Sequence, residues 1–336
     1  MLAHAAIMAK SFSLARVWNL FKLLGSYYLS RLIGRSLVLG KPFSISIEPT
    51  TSCNLRCPQC PSGLRSFSRD TGMLSIETNK RIIDDLSPAL TYITYYFQGE
   101  PYLNPDFLEM VRYAHNKNIY TCTSTNAHYL SKANCERTIQ SGLSKIIISI
   151  DGITQESYSK YRVGGVLDKV IEGTKNMMLA KKEANVSSPW VVWQFIVFSH
   201  NENELDELKA LAQSCGVDEL QIKTAQIYDY INGSDLIPEN EAYSRYVLNG
   251  PTFRIKNKLL NHCWRMWQGC VFTWDGDVVP CCFDKDAKHK MGNILTQSFE
   301  EIWKGKKYFE FRLQLSHNRK NIDICKNCSE GTSVWK

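Results

Sequence analysis

Thr50-Thr51-Ser52-Cys53-Asn54-Leu55-Arg56-Cys57-Pro58-Gln59-Cys60-Pro61 follows a strand-like run at Phe43 to Glu48 and gathers three cysteines on one loop. Three thiolates so spaced can hold three corners of a four-iron cube and leave the fourth iron without a protein ligand, open to a small molecule. Zinc is the rival, since closely spaced cysteines suit it too, although a closed structural zinc site takes four ligands and this loop supplies three. A fourth ligand from elsewhere would restore zinc, so spacing alone leaves both metals open.

Working outward from the loop, β-branched and aromatic runs at Phe43 to Glu48, Tyr92 to Phe97, Ile119 to Thr125, Lys145 to Ile150, Trp190 to Phe198 and Glu219 to Lys223 alternate with helix-like segments near 76–87, 105–117, 131–141, 166–184 and 203–214. That alternation predicts β/α units with parallel strands. Apolar runs such as Ile146-Ile147-Ile148 fit strands buried on both faces. Ligands in such folds gather at the carboxyl ends of the strands. From 224 to 262 no clean period survives, and Asn232-Gly233-Ser234, Pro238 and Asn249-Gly250-Pro251 are turn signals, so this segment is expected to be a bridge with short helices. A cysteine-rich tail with Trp264, Trp267, Trp274 and Trp303 follows.

The chain has 336 residues, an apolar fraction of 44% and twelve cysteines. Its size needs no disulfide staples and no signal peptide opens it, so the cysteines are expected to bind metal in a reducing cytoplasm. No apolar run reaches the length of about eighteen residues that a membrane-spanning helix needs. The net charge of +7 is concentrated in Lys10, Arg16, Lys22, Arg31, Arg35 and Lys41, with no acid before Glu48, and the remaining 34 bases nearly match the 33 acids. A nucleic-acid enzyme would carry basic stripes on its main domain, so nucleic acid is not an expected partner. Residues 1–42 mix those bases with Trp18, Phe21, Tyr27, Tyr28 and several leucines, forming a basic amphipathic arm. Such an arm either lies on an anionic membrane surface or caps the open end of the body.

The C-x3-C-x2-C spacing of Cys53, Cys57 and Cys60 resembles the signature of the radical S-adenosylmethionine (radical SAM) superfamily. The family usually carries an aromatic residue just before the third cysteine, where this chain has Gln59. The resemblance implies an α/β fold, a partial (β/α)6 TIM barrel over 43–223 with a small C-terminal Fe-S-binding domain over 263–336, and a 4Fe-4S cluster that binds S-adenosyl-L-methionine. Gln98-Gly99-Glu100-Pro101 resembles the family's Gly-Gly-Glu-Pro turn, which would present carbonyls and the Glu100 carboxylate to the cofactor's ammonium group. Ser124 and Asn126, then Ser149 and Asp151, end two strands in patterns similar to those the family sets near the ribose and methionine carboxylate, and Arg162 offers a planar fork to that carboxylate. Read without the family, these are strand-end turns and a loop arginine. Gln194 is a weaker candidate of the same kind.

In the tail, Cys263, Cys281, Cys325 and Cys328, with Trp274-Asp275-Gly276-Asp277 and Gly292-Asn293-Ile294 between them, resemble the SPASM extension in its shorter twitch form. That resemblance implies one auxiliary 4Fe-4S cluster closed by four cysteines, conducting electrons and not binding the reactant. Asp275-Gly276 also reads as a two-residue hairpin turn that would set Cys270 opposite Cys281 and make Cys270 the alternative fourth ligand. Zinc remains a rival at this second site. Cys122, Cys135, Cys215 and Cys282 are assigned no function, and the histidines are read as structural.

Together these features imply an oxidoreductase that cleaves S-adenosylmethionine reductively to a 5'-deoxyadenosyl radical and takes a hydrogen from a small or carbohydrate-like substrate. Its electrons would come from an external donor such as flavodoxin or ferredoxin. The alternatives are a peptide- or protein-modifying maturase and, from another class, a non-catalytic Fe-S or zinc scaffold. The expected location is cytoplasmic, with peripheral membrane contact through the arm as the second reading, and no catalytic base is identifiable.

Overall fold

Alternating Ser and Ile at Ser44-Ile45-Ser46-Ile47 give strand β1 (Ser44–Ile47) one apolar and one hydroxylated face. Ile45 and Ile47 enter the main core against the surrounding helices, while Ser44 and Ser46 face an interior cavity. The same division recurs in β2 (Tyr92–Tyr95), whose Ile93 and Tyr95 are core residues and whose Tyr92 and Thr94 line that cavity. This computed structural model describes residues 2–328.

Strands β3 (Tyr120–Thr125), β4 (Lys145–Ser149), β5 (Trp190–Val197) and β6 (Glu219–Thr224) follow in sequence, each parallel to the one before. Helices α1 (Leu2–Ala9) and α2 (Leu14–Ile33) precede the barrel; α3 (Pro61–Leu64), α4 (Ile76–Leu86), α5 (Phe107–Asn116), α6 (Lys132–Gln140), α7 (Gln155–Tyr161), α8 (Leu167–Glu183) and α9 (Leu205–Cys215) connect its strands. Ser75, Ser131 and Thr154 start three of them by accepting a bond from the N3 backbone N–H, which satisfies an otherwise orphaned donor. The six expected strands and five expected helices are present, and α3 and α7 are additions.

The bridge differs from expectation. In place of short helices it contains one 3-10 turn, Glu241–Tyr243, and an antiparallel hairpin of β7 (Tyr246–Asn249) and β8 (Thr252–Ile255). Gly250, with φ of 65°, takes the left-handed turn position, so the Asn-Gly-Pro signal closes a hairpin in a segment expected to hold short helices.

The sheet does not end at β1. After α10 (Arg265–Gln268), strand β9 (Gly269–Phe272) lies parallel to β1 on its other edge, and β10 (Asp277–Val279) and β11 (Gly292–Asn293) extend it antiparallel, giving nine strands in the order β11-β10-β9-β1-β2-β3-β4-β5-β6. Helices α11 (Phe299–Trp303) and α12 (Lys306–Asn318) cover this extension. The β9–β10 turn corrects another expectation. Thr273 pairs with Asp277 around a three-residue loop, with Gly276 N–H donating to Thr273 O at 3.0 Å and Gly276 at φ 84°. A register one residue from the expected one changes which side chains oppose each other. Val271 faces Val279, and Cys270 is held in the main core beside Tyr308 and Arg312.

The arm closes the amino-terminal mouth of the barrel. Ile7 packs against Tyr120, Cys122, Ile147 and Val192 inside it. Arg16, buried and facing no acid among the described residues, donates to Ser11 O at 2.8 Å, Asn118 O at 2.5 Å, Lys117 O at 2.8 Å and Ser87 O at 3.0 Å. Tyr27 packs edge-on against Trp264 and Trp267, and the Trp267 and Trp303 indoles donate to Leu37 O and Gly40 O at 2.8 and 2.9 Å.

At the other end of β1, buried Glu48 accepts both arms of the Arg69 guanidinium at 2.6 and 2.8 Å and the Trp274 backbone N–H at 3.2 Å, tying the cysteine loop to the β9–β10 turn. Burial pushes the Glu48 carboxyl upward against the pull of Arg69. Arg69→Met should therefore cost about 3–5 kcal/mol in urea unfolding by leaving a buried carboxylate unpaired, and the double variant with Glu48→Met should recover most of that loss.

Candidate active site

The cysteine loop is shaped by close backbone contact with the turn after β2. Glu100 N–H donates to Ser52 O at 2.8 Å and Gly99 N–H to Ser62 Oγ at 2.9 Å. Gly99 has φ of 73°, and a Cβ there would lie 2.2 Å from Thr50 O, so no other residue fits between loop and turn. This contact turns the three sulfurs toward a cavity of about 330 Å³ at the carboxyl ends of β1 to β5. Each sulfur has one polar side-chain neighbour at 3.9 Å, Asn126 Nδ2 for Cys53, Arg162 Nη1 for Cys57 and Gln98 Oε1 for Cys60, and Cys53 also accepts the Leu55 backbone N–H at 3.4 Å.

Nine of the expected cofactor and cluster residues line this cavity with Gly99: Cys53, Cys57, Cys60, Gln98, Glu100, Ser124, Asn126, Ser149 and Arg162. Gln194 joins them from β5. Asp151 does not line it. It is fully buried, and its carboxylate accepts Arg162 Nε at 2.5 Å and Ile196 N–H at 2.7 Å. Asp151 therefore positions Arg162 and does not touch the cavity's contents. Helix α7, started by a capping box at Thr154 and Ser157, ends at Arg162 and delivers its guanidinium to this pair.

Glu100 is held by three donors: Asn126 N–H at 2.8 Å, Thr125 Oγ1 at 2.8 Å and Tyr102 N–H at 3.3 Å. Burial nevertheless pushes its carboxyl up to about 7, outweighing these bonds. A carboxylate has roughly four acceptor positions, so about one remains toward the cavity.

Two residues that the sequence reading did not assign to the site belong to its surroundings. Gln59, in the place of the family's aromatic, accepts the Tyr228 backbone N–H at 2.9 Å and fastens the bridge to the cysteine loop. Lys285, from the loop after the second cysteine set's Cys281, reaches the cavity wall. Its ammonium stands 5.0 Å from the centre of the Tyr228 ring, and burial lowers its affinity for a proton. It also lines a second cavity of about 540 Å³ shared with Tyr228, Tyr230, Asp284, Asp286 and Asn327. No short-range motif marks Lys285, because only the folding of the tail onto the loop brings it there.

Cys263, Cys281, Cys325 and Cys328 form a second group. Burial raises the Cys281 thiol, with Cys325 and Cys328 adding to the effect, and burial pushes Cys325 up to about 12 with Cys328 and Cys263 nearby. Arg319 Nη2 lies 3.3 Å from Cys328 Sγ. Cys270 keeps company with Tyr308 and Arg312 instead, so the alternative ligand assignment loses its geometric basis. Both thiol sets suit iron-sulfur clusters. The first supplies three sulfurs around an open cavity and the second supplies four, and burial disfavours the thiolates of Cys53, Cys57, Cys263, Cys281 and Cys325 in the absence of metal, so proton release would accompany loading.

The Radical SAM superfamily model matches residues 47–215, and the SPASM iron-sulfur cluster-binding domain model matches residues 263–329. The chain is 29% identical over 301 residues to the mycofactocin maturase MftC of Mycobacterium ulcerans (strain Agy99), covering 81% of this chain and 77% of that protein. It is 24% identical over 298 residues to the S-adenosyl-L-methionine-dependent 2-deoxy-scyllo-inosamine dehydrogenase of Niallia circulans, covering 87% of this chain and 94% of that one. Streptococcus suis SuiB bound to S-adenosylmethionine shares the fold, with a TM-score of 0.64 and 15% identity over 87% of this chain and 73% of that chain. With its two cysteine sets, one on the barrel and one on the extension, the chain belongs to the radical SAM superfamily and carries a C-terminal SPASM domain.

Proposed function

We propose that this enzyme removes a hydrogen atom from a small, carbohydrate-like alcohol and oxidises it. The observation that carries this reading is Lys285, shared by the cavity of the first cysteine set and a cavity of about 540 Å³ in which Tyr228, Tyr230, Asp284 and Asp286 stand among apolar side chains such as Leu64, Ile231 and Phe283. That volume lies in the range of small-molecule sites. Similarity to a 2-deoxy-scyllo-inosamine dehydrogenase along most of both chains supports it. The peptide-modifying reading draws on the 29% identity to MftC and remains the second hypothesis.

When bound, the cluster and S-adenosylmethionine, with an electron from an external donor such as flavodoxin or ferredoxin, supply a 5'-deoxyadenosyl radical that abstracts the substrate hydrogen. Cys53, Cys57 and Cys60 would hold the cluster. Glu100 would use its remaining acceptor position for the methionine ammonium, and Arg162, oriented by Asp151, would meet the carboxylate. Gln98, Ser124, Asn126 and Ser149 provide polar groups for the rest of the cofactor. Cys263, Cys281, Cys325 and Cys328 would hold the auxiliary cluster as an electron relay. The reduced thiols of both sets suit a reducing cytoplasm, and no disulfide joins cysteines among the described residues.

Anaerobic reconstitution with iron and sulfide, followed by reduction with S-adenosylmethionine, should yield 5'-deoxyadenosine, measured by liquid chromatography and mass spectrometry. Cys57→Ala should abolish it, whereas Cys281→Ala should retain cleavage and lose substrate oxidation. Adding 2-deoxy-scyllo-inosamine as a probe polyol should accelerate cleavage in the wild type. Acceleration by a mycofactocin-type precursor peptide alone would move the enzyme to the peptide class, and an intact cluster with no cleavage would make it a scaffold.

Glu100 also gives a pH signature. Its folded-state value of about 7 lies above the ordinary 4.5, so its ionisation opposes folding: the stability it confers is full at low pH and is lost as pH rises from about 4.5 through about 7. The difference corresponds to about 3 kcal/mol. Urea titrations of the cofactor-free protein across that window should show this decline in the wild type and a flatter profile in Glu100→Gln. The same variant should bind S-adenosylmethionine about tenfold more weakly or worse, read by calorimetry on the reconstituted enzyme.

A further inference from the structure

Helix α2 turns a mixed face of polar and apolar residues inward. Its buried residues are Arg16, Leu23, Ser26, Tyr27 and Ser30. Leu14, Trp18, Phe21, Tyr28 and Leu32 stand outward at 91%, 63%, 61%, 61% and 83% exposure. At 100° per residue these five positions fall within a stripe roughly 80° wide and about 27 Å long. Lys22 and Arg31, both exposed, flank the stripe on opposite sides, with Lys10 and Arg35 exposed near its ends. No acid occurs before Glu48. A contiguous aromatic and aliphatic surface of this extent is uncommon on a free monomer face and marks a place of contact.

We infer that α2 docks this enzyme in the plane of an anionic membrane surface, its stripe among the acyl boundary groups and its bases against lipid headgroup charges. The charge pattern selects this occupant. A second copy paired through the same face would set bases against bases, since the arm has no carboxylate to answer them. An anionic bilayer answers both the apolar stripe and its basic flanks. No helix among the described residues is long and apolar enough to cross a membrane, which fits an in-plane helix. The attachment points fix the orientation of the bound enzyme. Ser87, Lys117 and Asn118, which hold Arg16, precede β2 and β3, and Trp264 and Trp267, which hold Tyr27, precede β9. The arm thus lies at the amino-terminal ends of the strands, opposite the cavity at their carboxyl ends. The docked enzyme turns its radical site to the aqueous side and takes its substrate from there.

The test uses the full chain, reconstituted anaerobically, with vesicles of phosphatidylcholine and phosphatidylglycerol at three to one, and with pure phosphatidylcholine vesicles. Sedimentation with the anionic vesicles is expected in low salt, falling about tenfold or more in Trp18→Glu/Phe21→Glu, in Lys22→Glu/Arg35→Glu and in high salt. These residues lie outside the active site and are exposed, so 5'-deoxyadenosine formation in solution should match the wild type and certify the fold of each variant. Absence of sedimentation overturns the inference, as does equal binding to neutral vesicles. A wild-type dimer in light scattering that Trp18→Glu/Phe21→Glu converts to monomer, without vesicle binding, would assign the stripe to a second copy.

Discussion

Strand β1 is paired on both edges, and that double pairing fixes where everything else stands. Ser44 is in register with Tyr92 on one side and Gly269 on the other, so one short strand carries the barrel and the SPASM extension in a single hydrogen-bonded sheet. Its carboxyl end runs directly into the cysteine loop. Glu48, the first residue beyond it, binds Arg69 within that loop's return path and Trp274 in the β9–β10 turn. The relative position of the two cysteine sets is therefore set by backbone pairing and one buried ion pair, both of which tolerate little drift. A slip of β9 by one residue would exchange Cys270 for its neighbours on the core face and move the extension's loops with it.

The same economy of motion governs the cavity. Arg162 is anchored by a fully buried carboxylate, and Glu100 is anchored by three donors, so the two charged groups near the thiols are fixed before any ligand arrives. Fixed charges cost little reorganisation when the charge of a bound group must be met, which is where preorganised sites derive their advantage. Lys285 stands apart from this pattern. Its ammonium has an aromatic face at 5.0 Å and, among the described residues, no ion-pair partner in reach. A cation held in that way is available to whatever occupies the space between the two cavities.

The barrel was legible because parallel strands buried on both faces write themselves as continuous β-branched runs, and because the cysteine spacing, Gly99-Glu100 and the strand-end hydroxyls are short-range patterns. Details carried by long-range contact were not legible. Asp151 and Glu100 look alike in sequence, each a carboxylate beside a glycine at a strand end, yet only Glu100 lines the cavity, because Arg162 arrives from α7 to claim the other. Gln59 reads as a departure from the family until the bridge folds over it and Tyr228 donates to its side chain. Lys285 has no local mark at all. The β9–β10 register turned on a three-residue loop whose Asp-Gly pair is equally at home in a two-residue turn, an ambiguity that the pairing of β9 with β1 resolves.

The polarity of α2 has a physical origin in the barrel itself. In a β/α barrel the connecting helices descend beside the strands and end at the amino-terminal mouth, so that surface presents helix carboxyl termini with unpaired carbonyls and negative dipole ends. Ser87 and Lys117 are the residues that cap α4 and α5, and their carbonyls are two of those that Arg16 binds. A helix laid across that mouth must offer donors and a cation on its inner face, and a leucine-lined face would leave those carbonyls buried and unanswered. With Arg16 meeting those carbonyls and Leu23 and Tyr27 packed on the core, Leu14, Trp18, Phe21, Tyr28 and Leu32 are left on the outer side of the helix. Their exposure follows from the requirement of the surface below, and the bases that flank them decide what the outer surface is suited to meet.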